Sequence, residues 1–239
     1  MFKAIFERVT GRYLERDIIR QNKELMWAHI YHDSIRDKEW LTQLPLNIGR
    51  YAGNYSFFFV LSRILGVYTP KDILEFGLGE SSKLISTYLE NSLTDSTHTI
   101  IEHDSDWGNS FKAQFKFTER SMIHILELQE KYVNGYKTKG YKGIDEFISK
   151  KYDLYLIDGP FGSPKYSRYD IVNLAERFTI QDEFIIILDD YDRYGEQQTF
   201  KCLMKVLQQK GIEILIGYYE GVKTVAVIGT KKYKFVKSM

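Results

Sequence analysis

One cysteine, Cys202, stands in a chain of 239 residues. That excludes an internal disulfide and any cysteine-rich zinc site. In the helix-like run TFKCLMKVL it reads as a small buried hydrophobe. Net charge is almost absent as well, a formal +1, so no global basic field points to nucleic acid and nothing in the composition marks disorder. Long apolar runs are missing too. The start, MFKAIFERVTGRYLERDIIR, has no extended hydrophobic region of the leader type. The greasiest stretch, Phe57 to Tyr68, is interrupted by Arg63 and is too short to span a bilayer. A cytoplasmic, reduced protein without a transmembrane segment is the expectation, of a length that suits one full core with a terminal extension.

Aromatics, by contrast, are plentiful at 15%, with 18 tyrosines. Saccharide sites use such side chains, since a ring face stacks on C–H groups while the hydroxyl bonds a sugar. They serve equally as interior and interface residues with one wet end.

Residues 1–70 read as a helical extension. Phe2, Ile5, Phe6 and Val9 form an apolar stripe among Lys3, Arg8, Arg12, Arg16, Arg20 and Lys23. This helix suits docking on its own domain or on a second copy, a homodimer through the N-terminal helices, more than a membrane surface. Trp27, Ile30, Ile35 and Trp40 continue as anchors until Pro45 ends the run. NYSFFFVLSRILGVY is a second, apolar helix.

From Lys71 the rhythm changes. Short apolar runs alternate with helical segments, the pattern of βαβ units and a parallel sheet. Residues 71–239 form this second region. Strands are expected near 72–76, 98–102, 122–128, 153–158, 184–190, 212–219 and 224–230, and helices near 80–91, 106–118, 143–150, 166–178 and 195–210. The short Glu220-Gly221 link joins the last two strands, so they are antiparallel neighbours. The fold class is α/β: a Rossmann-like, seven-stranded, mostly parallel sheet with a C-terminal antiparallel hairpin, preceded by N-terminal helices. A dinucleotide-binding dehydrogenase would continue into a second half and a substrate domain. Ending on a hairpin, this order resembles the class I S-adenosylmethionine (SAM)-dependent methyltransferases.

ILEFGLGESS carries that resemblance into chemistry. Gly77 and Gly79 allow a tight turn and close approach to a ligand, and Ser81 and Ser82 are placed to cap the next helix. The dehydrogenase fingerprint wants glycine where Ser82 stands. Glu75 suits the cationic amino acid end of SAM and would repel a pyrophosphate. After the second strand, IEHD offers Glu102 for the ribose hydroxyls, His103 as a lining residue, and Trp107 to flank the adenine or fill the core. Cofactor candidates are thus Glu75, Gly77, Gly79, Ser81, Ser82, Glu102, His103 and Asp158.

DLYLIDGP ends in Asp158 and IIILDD ends in Asp189 and Asp190. At the carboxyl ends of neighbouring strands three carboxylates converge, a costly cluster unless compensated. A divalent cation such as Mg²⁺ resolves it, and the trio resembles the metal ligands of the cation-dependent O-methyltransferases of the catechol type. Pairing with Arg168 and Arg193 is the other solution. The set LEFGLGESS, IEHD, LIDGPFG and LDDYDRYGE also resembles, over roughly residues 72–200, the motifs of the glucuronoxylan 4-O-methyltransferases and their bacterial polysaccharide relatives. That resemblance implies methyl transfer to a hydroxyl of a sugar or similar small molecule. This chain departs from it in FGSPKYSR after the IDGP.

Candidates for catalysis are Asp158, Lys165 on the loop beyond it if desolvation lowers its pKa, and His103, with Asp192 as a further rival base. Arg168, Arg193 and Tyr166 are candidates for holding substrate, the arginines by clamping a carboxylate. A non-catalytic methyltransferase-like scaffold, dimeric through its N-terminal helices, is the alternative. The intact glycine turn and acids speak against it. A nucleic acid target is disfavoured, since an amino-directed enzyme would show Asn/Asp-Pro-Pro-aromatic where Asp158-Gly159-Pro160-Phe161 stands and the lysine-rich tail reads as solvated.

Overall fold

The computed structural model describes residues 12–49 and 51–239. The stripe of Phe2, Ile5, Phe6 and Val9 lies outside the described residues. Helix α1 (Arg12–Ser34) is followed by a single turn, α2 (Glu39–Thr42), and by α3 (Tyr55–Tyr68). Phe57, Phe58, Val60, Leu61, Ile64 and Leu65 of α3 are fully buried, so most of α3 is enclosed in the core and Arg63 marks its exposed side. Among the described residues no helix is long and apolar enough to cross a membrane.

The main sheet has seven strands: β1 (Asp72–Phe76), β2 (Thr97–Glu102), β3 (Ser121–Ile125), β6 (Leu154–Ile157), β7 (Ile185–Leu188), β8 (Ile214–Glu220) and β9 (Thr224–Thr230). Their order is β3-β2-β1-β6-β7-β9-β8. The first five run parallel, while β9 lies antiparallel to both β7 and β8. Central strands are buried on both faces, so they read as unbroken apolar runs. Ile185 and Ile187 of β7 face a core shared with Tyr31, Leu41, α3 and the helix α4 (Glu80–Asn91). Ile186 and Leu188 face a second core closed by Ile171, Leu174, Phe200 and Leu203. The N-terminal helices therefore complete one face of the sheet. They share its core rather than standing apart.

Three expectations are corrected. The strand expected over 122–128 is two: β3 ends at Ile125, and β4 (Leu128–Val133) pairs with β5 (Tyr136–Tyr141) in a separate two-stranded sheet. Asn134 and Gly135, at φ 50° and 79°, make the two-residue turn, the Asn-Gly signal of a tight hairpin. The helix expected over 143–150 is one turn, α6 (Ile144–Phe147). The helix expected over 166–178 is only α7 (Asp170–Ala175), because Tyr166 and Arg168 sit at φ 51° and 58°, which no right-handed helix accepts. Helices α5 (Ser105–Gln114) and α8 (Tyr194–Gln209) fall close to where the periodicity places them.

Candidate active site

The carboxyl ends of β2, β1, β6 and β7 open on one edge of the sheet, and every acid singled out in the sequence lies there. Gly77 leaves β1 at φ 97°, and a Cβ built on it would meet the backbone nitrogen of Gly159, after β6, at 3.1 Å. The reverse approach is tighter: a Cβ on Gly159 would lie 2.7 Å from Gly77 N. The two loops touch backbone to backbone, which only glycine at both positions permits. Around Gly79 nothing lies within 4 Å of such a Cβ, so the turn is open to a ligand on that side.

Glu75 is fully buried and is turned into its own loop. It accepts hydrogen bonds from the hydroxyls of Ser81 and Ser82, and His98 Nε2 lies 3.0 Å from it. The structure thus brings Glu75, Ser81 and Ser82 together, but to shape the turn rather than to face the crevice. Ser82 Oγ also accepts from Gly79 N, at 3.1 Å. Glu102, at the end of β2, accepts from the backbone N–H groups of Leu78, His103 and Asp104 at 2.9, 2.6 and 2.9 Å. The acid expected at the ribose therefore stitches the β2 end to the glycine turn. His103 Nδ1 lies 2.7 Å from the same carboxylate, and its ring meets Phe161 edge-on at 4.6 Å. Phe161, 63% exposed, spans the mouth from the β6 side. Trp107, half exposed, donates from Nε1 to Leu78 O at 2.8 Å.

Asp158, Asp189 and Asp190 do converge: one oxygen of each lies within 4.8 Å of the others. They are already met by cations. Arg168, 4% exposed, places Nη2 at 2.9 Å from Asp190 and 3.2 Å from Asp158. Its Nη1 donates to Asp189 O at 3.2 Å. Arg193 reaches Asp190 at 2.9 Å. Lys223, in the turn between β8 and β9, lies 3.1 Å from Asp190 Oδ1 and 3.7 Å from Asp189 Oδ2. Both oxygens of Asp189 are buried without a hydrogen-bond donor. Burial, then the Asp189 charge, pushes Asp158 up to about 8. Burial, then Asp190, raises Asp189 to about 6. Burial acts the same way on Asp190, but Arg168, Lys223 and Arg193 outweigh it and hold that carboxyl below its usual range.

Four residues sit elsewhere than expected. Arg168 is enclosed beneath the trio, so it braces the acids and is not free to clamp a substrate. Lys165 lies over the ring of Tyr136, 3.6 Å from its centre. Its interaction with the Tyr136 hydroxyl raises its pKa, the opposite of what a base needs. Tyr166 turns to the β4–β5 hairpin, where Asn134 Nδ2 donates to its hydroxyl at 3.2 Å and Thr138 Oγ1 to its carbonyl at 2.8 Å. Asp192 accepts from Thr224 N at 3.0 Å and holds a turn. Arg193 keeps its expected place. With Gly162, Ser163, Pro164, Tyr194, Gly195 and Glu196 it lines a cavity of about 470 Å³ beside the trio. Glu196 is buried with Oε1 lacking a hydrogen-bond donor. Glu196, Phe161 and Lys223 are site residues that sequence reasoning missed. Phe161 and Glu196 stood within quoted motifs, LIDGPFG and LDDYDRYGE, whereas Lys223 had no signal.

Solved O-methyltransferases share this Rossmann-like fold. An O-methyltransferase from Bacillus cereus, solved in complex with SAH, matches with 11% identity over 88% of this chain and 91% of that one, at a TM-score of 0.54. TomG from Streptomyces achromogenes, an O-methyltransferase involved in tomaymycin synthesis and solved with SAM, matches with 13% identity over 85% of this chain and 88% of that one, at a TM-score of 0.53. No protein-family model and no curated protein matches the chain.

Proposed function

We propose that the protein is a SAM-dependent O-methyltransferase acting on a hydroxyl of a sugar or similar small molecule. The observation that carries this reading is the junction of three features on one sheet edge. The glycine turn, open at Gly79, lies beside Asp158, and Asp158 lies beside a cavity walled by Arg193, Tyr194 and Glu196. SAM, when bound, supplies an electrophilic methyl group on a sulfonium sulfur. The turn of Gly77 and Gly79 receives it, with Glu102 near the ribose and Trp107 flanking the adenine. The residues of the chain then align the acceptor oxygen in line with the methyl carbon and take its proton. Asp158 is the base: of the three carboxylates it alone is partly exposed, at 24% of its side chain, and burial, then the Asp189 charge, raises its pKa to about 8, which makes its ionised form a strong proton acceptor. As the C–O bond forms and the C–S bond breaks, the electron pair stays on sulfur and the proton passes to the carboxylate.

The cavity favours a hydroxylated acceptor. Glu196 Oε1 is an unoccupied buried acceptor for a hydroxyl donor. Tyr194, 55% exposed, offers a ring face, and Arg193 suits a uronic carboxylate. A divalent ion fits the spacing of the three oxygens, yet Arg168 and Lys223 already neutralise much of their charge, so no step is routed through a metal.

Calorimetric titration with SAM and with NAD tests the cofactor. SAM binding followed by methyl transfer to a panel of monosaccharides and uronic acids is the expected result, and NAD binding alone overturns the reading. A second reading as a dimeric scaffold draws on α1, whose Leu14, Ile18 and Leu25 lie along one exposed face. A dimer by sedimentation together with no SAM binding would favour it.

A further inference from the structure

Among the described residues of the carboxylate cluster, Lys223 alone comes from beyond the parallel part of the sheet. It sits in the turn of residues 221–223, between β8 and β9, and its ammonium reaches back across the sheet edge to Asp190 at 3.1 Å and Asp189 at 3.7 Å. Its side chain is 17% exposed, and its third neighbour is the carbonyl of Ala52 at 3.5 Å. A lysine normally keeps its hydrated ammonium in water on a flexible stem. This one is held from several sides. Asn54 Nδ2 donates to Lys223 O at 3.3 Å, and Glu24 accepts from Val222 N at 3.0 Å. Asp192 accepts from Thr224 N at 3.0 Å. Gly221 passes so close to Glu24 that a Cβ there would lie 2.1 Å from its carboxylate. The backbone on either side of the charge is thus pinned to α1, to the loop before α3 and to the turn after β7.

The geometry leaves little for a metal ion to do. Asp190 already shares one oxygen with Lys223 and the other with Arg168 and Arg193. A hard cation needs oxygens at about 2.0–2.6 Å with bound waters, so it would have to displace the ammonium from between Asp189 and Asp190. The charge balance agrees. Even with all four carboxylates ionised, those of Asp158, Asp189, Asp190 and Glu196 face the three cations of Arg168, Arg193 and Lys223, leaving a deficit at most half as large as the charge a divalent ion brings. An uncompensated buried charge of either sign is costly.

We propose that Lys223 is the built-in cation of this site, its ammonium standing beside Asp189 and Asp190 where a divalent ion would bind, so that the wild-type chain does not take one up there. In the O-methyl transfer proposed above, on which this assignment rests for its chemical meaning, the acceptor is then activated by a carboxylate without a metal, and EDTA leaves turnover unchanged.

The test reads cation binding directly and needs neither SAM nor acceptor. The full chain is titrated with Mn²⁺ under electron paramagnetic resonance at low ionic strength, as wild type and as Lys223→Met, with Lys223→Gln as a second variant that keeps a donor to Asp190. The wild type is expected to leave Mn²⁺ free. The variants, confirmed folded by circular dichroism, are expected to bind one Mn²⁺ at least about tenfold more tightly, a gain removed by adding Asp189→Asn. Stoichiometric Mn²⁺ binding by the wild type that Asp189→Asn abolishes overturns the proposal. So does equally weak binding by the wild type and a folded variant. SAM calorimetry on the same preparations separates the two readings: the expected Mn²⁺ pattern without SAM binding would sink the methyl-transfer reading and leave Lys223 as the internal cation.

Discussion

Glu24, on the N-terminal helix, accepts a hydrogen bond from the backbone N–H of Val222, 3.0 Å away across a separation of 198 residues. The same carboxylate accepts from Asn54 Nδ2 at 2.8 Å and from Tyr55 N at 2.6 Å. Trp27 Nε1 adds a bond to Glu220 O at 2.9 Å. One half-buried acid therefore joins α1, the start of α3 and the turn that carries Lys223. Glu24→Ala unpairs all three donors, and hydrogen bonds to a charged group contribute roughly 1.5–3 kcal/mol each, not additively. We expect a loss of about 3 kcal/mol in urea denaturation, with a lower melting temperature. An unchanged midpoint would show that the helix is a passive cover.

Gly77→Ala places a methyl group 3.1 Å from Gly159 N at a φ of 97°. Neither the strand end nor the β6 loop can yield without moving the crevice, and the strained backbone alone costs about 1–3 kcal/mol. SAM affinity measured by calorimetry should fall by about tenfold or more. Binding at the wild-type level would place the cofactor elsewhere.

Arg168→Met removes the guanidinium from beneath Asp158 and Asp190 while keeping most of the side-chain volume. Breaking a buried pair by deleting one partner costs about 3–5 kcal/mol. The loss should be largest at alkaline pH, where the carboxylates are all charged, and smaller in mild acid. Equal losses at pH 5 and pH 8 would argue that packing, not charge, is what Arg168 supplies.

The raised pKa values of Asp158 and Asp189 make a prediction of definite sign. The unfolded chain releases these protons near the ordinary value of about 3.9, whereas the folded protein holds them until about 6 for Asp189 and about 8 for Asp158. Between those limits the folded state binds more protons, so stability falls as pH rises. The contribution is fully present below pH of about 4 and is lost through the two folded-state values. Urea midpoints at pH 5, 7 and 9 should decline. Asp189→Asn should flatten the decline, and a midpoint that climbs over this range would refute the assignment.

Lys165 and Glu196 make a contrasting pair for kinetics on an identified acceptor. Lys165→Ala should change kcat little, since its ammonium lies on the exposed ring of Tyr136. Glu196→Gln should raise KM more than it lowers kcat, as expected for a residue that binds the acceptor in ground and transition states alike. A large drop in kcat for Lys165→Ala would return it to the role of base.

The local pattern of the sequence determined much of this protein. Unbroken apolar runs named the seven strands of the main sheet. The loops or strand ends after β1, β2, β6 and β7 were visible as glycine or acid, so Gly77, Gly79, Glu102, Asp158, Asp189 and Asp190 could be placed on one edge from connectivity alone. The hairpin at Asn134-Gly135 was missed, although Asn-Gly is the strongest short-range hairpin signal, because hydrophobic periodicity ran β3 and β4 together. Tertiary structure alone decided where the charges go. Arg168 in FGSPKYSR looks like any loop cation until positive φ angles at Tyr166 and Arg168 turn it beneath the acids. Lys223 sits in a turn with no motif, and its ammonium meets Asp189 and Asp190 only because β9 inserts between β7 and β8. Glu24 finds Val222 only because α1 folds over the far end of the sheet. These partners lie far apart in the chain, and electrostatic compensation depends on distances of a few ångströms that only the packed fold sets.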